Sequence, residues 1–234
     1  MSALASLSSL RIAPDDLGAT VRAALGQPLR REGTLPGLCV TGIVSCLANA
    51  GPIPASGRTG LIWGSTDGAR IEIGKVLDEI CLHDGLPMPF DFIACQSGVA
   101  AVYASRFVGD LACGVYMRSA GNVWPQLLCM ALCWLVEGRY DRVLCGWVDE
   151  ADPEVADARH ASDWILLANP TTGPIPLAHA RLIADPQAHA DRITDTQFVP
   201  SLQTWIDAGG GPLSVASDMV RVEFLKTNNP AEKA

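Results

Sequence analysis

The period of the hydrophobic pattern changes repeatedly along this chain, and each change marks an element. Residues 1–12 are only mildly amphipathic and are expected to be loose. Asp15 and Asp16 stand where they can cap a helix running to about Leu25, and Gln27 to Pro36 reads as a polar connection. LCVTGIVSCLA (38–48) is an apolar run rich in β-branched residues, which predicts the first core strand. NAGPIPASGRTG is a Gly/Pro-dense loop, and TGLIWGST predicts a second strand ending at Gly64. In DGARIEIGKVLDEICLHDG the apolar residues Ile71, Ile73, Val76, Leu77, Ile80 and Cys81 keep helical spacing and predict an amphipathic helix. DGLPMP is a loop, and FDFIACQSGVAAVYASRF turns into another helix.

LACGVYM reads as a short strand and RSAGNV as a turn. WPQLLCMALCWLVEG is apolar nearly all round, which predicts a buried central helix with Pro125 in its first turn, where a missing N–H is harmless. RYDRVLCGWVDE, ASDWILLANP and IPLAHARLIAD predict three further strands. Helices alternate with strands to about residue 150 and strands dominate after it, the pattern of an α/β layered domain. After Asp185 the pattern weakens: DAGGGPLS reads as a flexible turn and NNPAEKA as a disordered tail. These shifts suggest three segments: 1–36, a helix and connection; 37–185, the main domain; and 186–234, an extension and tail.

Composition narrows the function. Hydrophobic residues make up 49% of the chain and charged residues 18%, enough for a deep core with apolar surface left over for an interface. The formal net charge of -8 argues against nucleic acid or an anionic membrane as partner. No apolar stretch is long enough to predict a membrane helix, and the start of the sequence lacks a basic segment followed by a long apolar one, so a cytoplasmic location is expected. The eight cysteines form no CxxC and sit mostly within apolar runs, which fits reduced thiols and neither a disulfide framework nor a metal site. GSTDG lacks the lysine of a phosphate-binding loop, and no cofactor is expected.

The strand LACGVYM, the tight turn, the long buried helix and RYDRVLCGWV form the informative unit. A sharp turn into a helix N-terminus can present a nucleophile and stabilise a thiolate or oxyanion. This unit resembles the N-terminal half of the β-ketoacyl synthases, which have the thiolase fold. In that family a Gly-Leu-x-Gly-Pro segment precedes a strand ending Thr-Ala-Cys, followed by a long helix, Gly-Glu-x-Asp and a strand ending Gly-Gly-Val. Gly109 matches the first glycine, Ala120 the alanine before the cysteine, and Gly121 falls at the cysteine itself. Gly138 and Asp141 match the next element, and Gly146 and Val148 the end of the following strand, all without gaps. The resemblance spans residues 37–185, with TGLIWGSTDG and SDWILLAN similar to strands near the start and end of that half.

Three departures bear on function. Gly121 cannot form a thioester. The family's C-terminal half, with two histidines, has no counterpart, since His83, His160, His179 and His189 lie in no matching motif. Ala112 and Trp147 replace family glycines. The resemblance is therefore to a chain-length factor, and in length and Ala-Gly turn to the short subfamily of aryl polyene and xanthomonadin-type systems. It implies an α/β, thiolase-like half-fold and a heterodimer with a ketosynthase that keeps its cysteine, acyl carrier protein being engaged only indirectly. It also implies pairing through the strand at 111–118, with Phe107, Leu111, Cys113, Val115, Tyr116, Met117, Arg118, Trp124 and Leu128 shaping the interface and acyl tunnel. Trp124 reads more readily as core than as tunnel lining, and Arg118 equally as an interface ion or a solvated edge residue. Two other readings stand beside this one: a small acyltransferase or hydrolase using Cys95 in IACQSG, and a homodimeric scaffold. The acids of DEADPEVAD, including Asp149 and Glu150, read as a solvated loop.

Overall fold

The structure is a computed structural model that describes residues 1–29, 33–52, 57–118, 121–170, 176–183, 193–208 and 210–227. Ala120, His189, the tail 228–234, and parts of the 27–36 connection and of the loop after Asn49 lie outside the described residues.

Eight strands form one sheet: β1 (Ser2–Ile12), β2 (Thr59–Ser65), β3 (Leu111–Arg118), β4 (Arg142–Asp149), β5 (His160–Ala168), β6 (Ala178–Ile183), β7 (Leu213–Ala216) and β8 (Arg221–Lys226), in the order β3-β2-β4-β5-β1-β6-β8-β7. β2 pairs in parallel with β3 and β4, and the remaining neighbours are antiparallel. The helices are α1 (Leu17–Leu25), α2 (Thr34–Asn49), α3 (Arg70–Cys81), α4 (Pro89–Ala94), α5 (Val99–Ala104), α6 (Trp124–Val136) and α7 (Asp195–Ala208).

Two apolar layers flank the sheet, because alternate side chains leave a strand on opposite faces. Leu61 and Trp63 of β2, Leu144 and Val148 of β4, and Trp164 and Leu166 of β5 pack with α2 and α5. Ile62, Val143, Cys145, Trp147, Ile165 and Leu167 point the other way, against α6 and α7. Trp164 fixes the spacing of the first layer. Its ring lies where a Cβ would stand on Gly42 of α2 and also on Gly146 of β4.

Five expectations are corrected or refined. Residues 1–12 are not loose: they form β1, between β5 and β6 and mostly buried. Their serines hid this, yet Ser6 is buried and its hydroxyl donates to Cys46 O at 2.8 Å. The run 38–48 is not a strand but part of the 16-residue α2. Burial on nearly every side of its first turns removes the polar stripe that would distinguish helix from strand. The spacing in α3 is helical, but of its apolar residues only Val76 is buried, while Ile73, Leu77 and Ile80 are exposed. The stretch after Asp185 supplies α7, β7 and β8, and 90–107 holds two short helices rather than one.

The remaining elements follow the pattern. α6 buries seven of its thirteen residues, with Cys129, Met130, Cys133 and Trp134 half-buried. Within β5, Asp163 is fully buried, and its carboxylate accepts two hydrogen bonds from Arg11 of β1, at 2.7 and 2.9 Å. Burial pushes this carboxyl up, and the Arg11 guanidinium pulls it back. The same guanidinium donates to Thr196 O at 2.8 Å, so one side chain ties β1, β5 and the start of α7 together.

Candidate functional site

The C-terminal ends of β2, β3 and β4 lie side by side, because β2 pairs in parallel with both neighbours without a slip from Gly60 to Gly64. Open α/β sheets bind ligands outside such ends. Three loops meet here: 66–69 after β2, the turn into α6 after β3, and 150–152 after β4.

Gly121 sits in the turn into α6 with φ +126, followed by Asn122 with φ 53. A Cβ on Gly121 would meet nothing within 4 Å, so the position has room for a side chain and a backbone that resists one. Asn122 is held by its side-chain amide, which donates to Ala216 O of β7 at 2.8 Å. The N-terminus of α6 is already occupied by a negative group. The Val123 N–H donates to Asp195 Oδ1 at 2.6 Å, and the Trp124 indole N–H donates to the Asp195 backbone carbonyl at 3.1 Å. Asp195 is 5% exposed. Burial pushes its carboxyl up, and the backbone N–H groups of Val123, Trp124 and Asn122 pull it down.

The other two loops are fastened in the same way. Asp149 Oδ1 accepts from the Ser65 hydroxyl at 2.6 Å and from the Thr66 N–H at 2.9 Å. Glu150 Oε2 accepts from the Ile71 N–H at 2.7 Å, in the first turn of α3. Burial raises Glu150 to about 7. These two acids are therefore not part of a solvated loop: Asp149 holds the end of β2 and Glu150 the start of α3. The sequence signal for them was weak, two acids directly after an apolar strand, and Asp195 gave no sequence signal of its contact with α6.

The expected interface residues fall into two groups. β3 is an edge strand, and Leu111, Cys113, Val115, Tyr116 and Met117 on it are half-buried while Arg118 is exposed. Phe107, half-buried, packs on the α2 layer just before β3. Tyr116 stacks on Trp63 with ring centroids 4.6 Å apart. Arg118 donates from Nε to Thr66 O at 3.1 Å. Trp124 and Leu128 have no exposed surface and lie in the α6 layer, where Trp124 meets Phe198 at 4.6 Å.

Cys95 ends α4 and is half-buried. Burial raises its thiol, and the nearby carboxylates of Glu72 and Asp91 raise it further. A nucleophilic cysteine needs the opposite surroundings. Two other matched positions have local work: the Gly138 carbonyl accepts from the Arg58 guanidinium at 2.7 Å, and Asp141 Oδ2 accepts the Arg58 N–H at 2.7 Å at the entrance to β2. His160 Nδ1 accepts the Ala151 N–H at 2.8 Å, and burial lowers its pKa. Among the described residues no group of three or more His, Cys, Asp or Glu could hold a metal ion, and no helix is long and apolar enough to cross a membrane.

Large apolar side chains are exposed on α3, α4 and α5. α5 lies against β3, where Ala101 faces Gly114, and Val102 of α5 is 59% exposed. α3 and α4 pack together and expose Leu77 (52%), Phe90 and Phe92, with Leu82 at 72% exposed between them. Exposed apolar side chains in this number suit an interaction surface.

No family model matches the sequence, and no curated protein matches it. Solved structures do. One is a ketosynthase (ApeO) in complex with its chain length factor (ApeC) from Xenorhabdus doucetiae, matched with TM-score 0.60 and 11% identity over 96% of this chain and 99% of that chain. A second is the ishigamide ketosynthase/chain length factor, with TM-score 0.58 and 15% identity over 79% of this chain and 68% of that chain. A third is a β-ketoacyl synthase from Burkholderia phymatum, with TM-score 0.54 and 15% identity over 82% of this chain and 66% of that chain. The open β3 edge, the turn at Gly121 and the buried α6 thus belong to a fold that this chain shares with ketosynthases and their chain length factors.

Proposed function

We propose that this chain is a non-catalytic, chain-length-factor-like partner of a ketosynthase, which it meets along β3. The observation that carries the reading is the combination at β3: an open edge strand beside exposed apolar helices, leading into a turn whose tip is Gly121. An unpaired apolar edge is an aggregation hazard that pairing with another sheet removes. Gly121 has no side chain to carry an acyl group, and Asp195 fills the N-terminus of α6 that would stabilise an oxyanion, so the contribution of this position is steric. The residues that reach such an interface are those of β3, with Phe107 close by, while Trp124 and Leu128 act from beneath by fixing α6.

The product is an acyl chain lengthened by the partner, in polyene or polyketide-type elongation, and the Ala-Gly turn favours an aryl polyene or xanthomonadin-type pigment. An acidic carrier protein is repelled by a chain of net charge -8, which leaves carrier docking to the synthase. Co-expression with a ketosynthase that has its cysteine tests the reading. The expected outcome is that elongation requires both chains, that this chain alone condenses nothing, and that the product length changes when β3 residues are enlarged. Full elongation by the synthase alone, with the same product distribution, would contradict it.

A further inference from the structure

We propose that Asp195 is a positioning residue that supplies its own negative charge to the N-terminus of α6, closing the turn at Gly121 to any outside anion or acyl oxygen. The inference deepens the partner reading but is testable on the chain alone. A helix N-terminus with free N–H groups attracts an anion, and at a turn of this kind it would stabilise a thiolate or the oxygen of a thioester adduct. Here that place is taken from within. Asp195 Oδ1 lies 2.6 Å from Val123 N, and the Asn122 and Trp124 N–H groups also bear on the carboxylate.

The supports for Asp195 come from three directions. Its backbone carbonyl receives the Trp124 indole N–H at 3.1 Å. Its neighbour Thr196 is held through its carbonyl by Arg11 at 2.8 Å, and Arg11 is anchored on the buried Asp163. Phe198, one turn along α7, stacks on Trp124 at 4.6 Å. α7 is thus fixed so that its first residue reaches the tip of α6. Oδ2 of Asp195 has no hydrogen-bond partner among the described residues, so packing has set the carboxylate there without satisfying both its oxygens. The consequence is that the loss of chemistry at this turn has two layers, Gly121 and Asp195, and restoring a thiol alone does not restore a reactive one.

The test uses the full chain carrying G121C, with and without D195N. Alkylation of the introduced thiol by iodoacetamide is followed by peptide mass spectrometry across a pH series. With Asp195 in place the thiol faces a carboxylate and reacts slowly near neutral pH. In the double variant the Asp195 charge is gone, an amide oxygen accepts the Val123 N–H in its place, and Asp149 is the carboxylate that still bears on the site. The alkylation rate near pH 7 is then expected to rise about tenfold, one pKa unit of the thiol. Equal rates in the two variants would overturn the proposal. Should G121C fail to fold at its positive φ, D195A in the otherwise native chain decides. Sodium formate, a carboxylate small enough for the vacated place, is expected to raise its Tm more than the same concentration of sodium chloride does, and to give no such difference in the native chain. Identical responses of D195A and the native chain to the two salts would overturn the proposal, whether or not the chain binds a synthase.

Discussion

Glu150 is an acid held inside the protein at a cost that depends on pH. Its carboxyl is raised by burial from 4.5 to about 7, so the folded chain keeps a proton there that the unfolded chain releases. The sign follows: its contribution is fully present below 4.5 and is lost as pH rises through about 7. E150Q keeps an acceptor for the Ile71 N–H and removes the titration. It is expected to raise Tm by about 2–4 °C near pH 8, a gain of about 1 kcal/mol, with a margin that shrinks toward pH 5.5 in thermal unfolding scans. Glycine positions act through space instead. A Cβ on Gly146 would stand within the Trp164 ring, so G146A is expected to cost about 1–3 kcal/mol, read as a lowered urea midpoint. The sequence showed Gly146 as a match to a family pattern, but that its neighbour across the sheet is an indole could not be read from spacing. Cys95 illustrates the converse: IACQSG looks nucleophilic as text, and the carboxylates of Glu72 and Asp91 around it appear only in three dimensions.

At the scale of elements, legibility followed burial. β2, β4 and β5 were readable because fully buried strands are short apolar runs bounded by turns. α2 was not, since a helix buried on most sides has no polar stripe and its Val40, Thr41 and Ile43 favour a strand locally. β1 was hidden by serines that find partners only within the sheet and α2. α3 shows the period correctly but turns its apolar residues to solvent, and so does the edge β3 in part. Both elements expose residues that a partner would cover. A112K, on the open edge of β3, and L77K, on α3, both replace exposed residues. Each is expected to leave Tm within about 2 °C while weakening binding to a ketosynthase at least tenfold, about 1.4 kcal/mol, in a titration calorimetry experiment. Unchanged affinity in both would move the interface elsewhere.

For the whole molecule, the sheet joins strands from both ends of the sequence. β1, from the first twelve residues, lies between β5 and β6, and β6 leads on to β8 and β7 near the other end. Arg11 adds a side-chain tie from β1 to β5 and α7. Removing residues 1–12 is therefore expected to abolish the cooperative unfolding transition altogether, since it exposes both halves of the sheet along a central seam. The turn at Gly121 shows why the ends matter for the site as well: Asp195 caps the helix after it and β7 holds Asn122, both from beyond residue 185. The resemblance stopped at that point, so the chemistry of the turn was legible at Gly121 and illegible at Asp195.

The proposed partner of the β3 edge is a ketosynthase. Size-exclusion chromatography with light scattering, on this chain mixed with a cysteine-bearing ketosynthase, is the direct test. A one-to-one complex that A112K dissolves is expected. A stable homodimer of this chain that elutes unchanged in the presence of the synthase would contradict it.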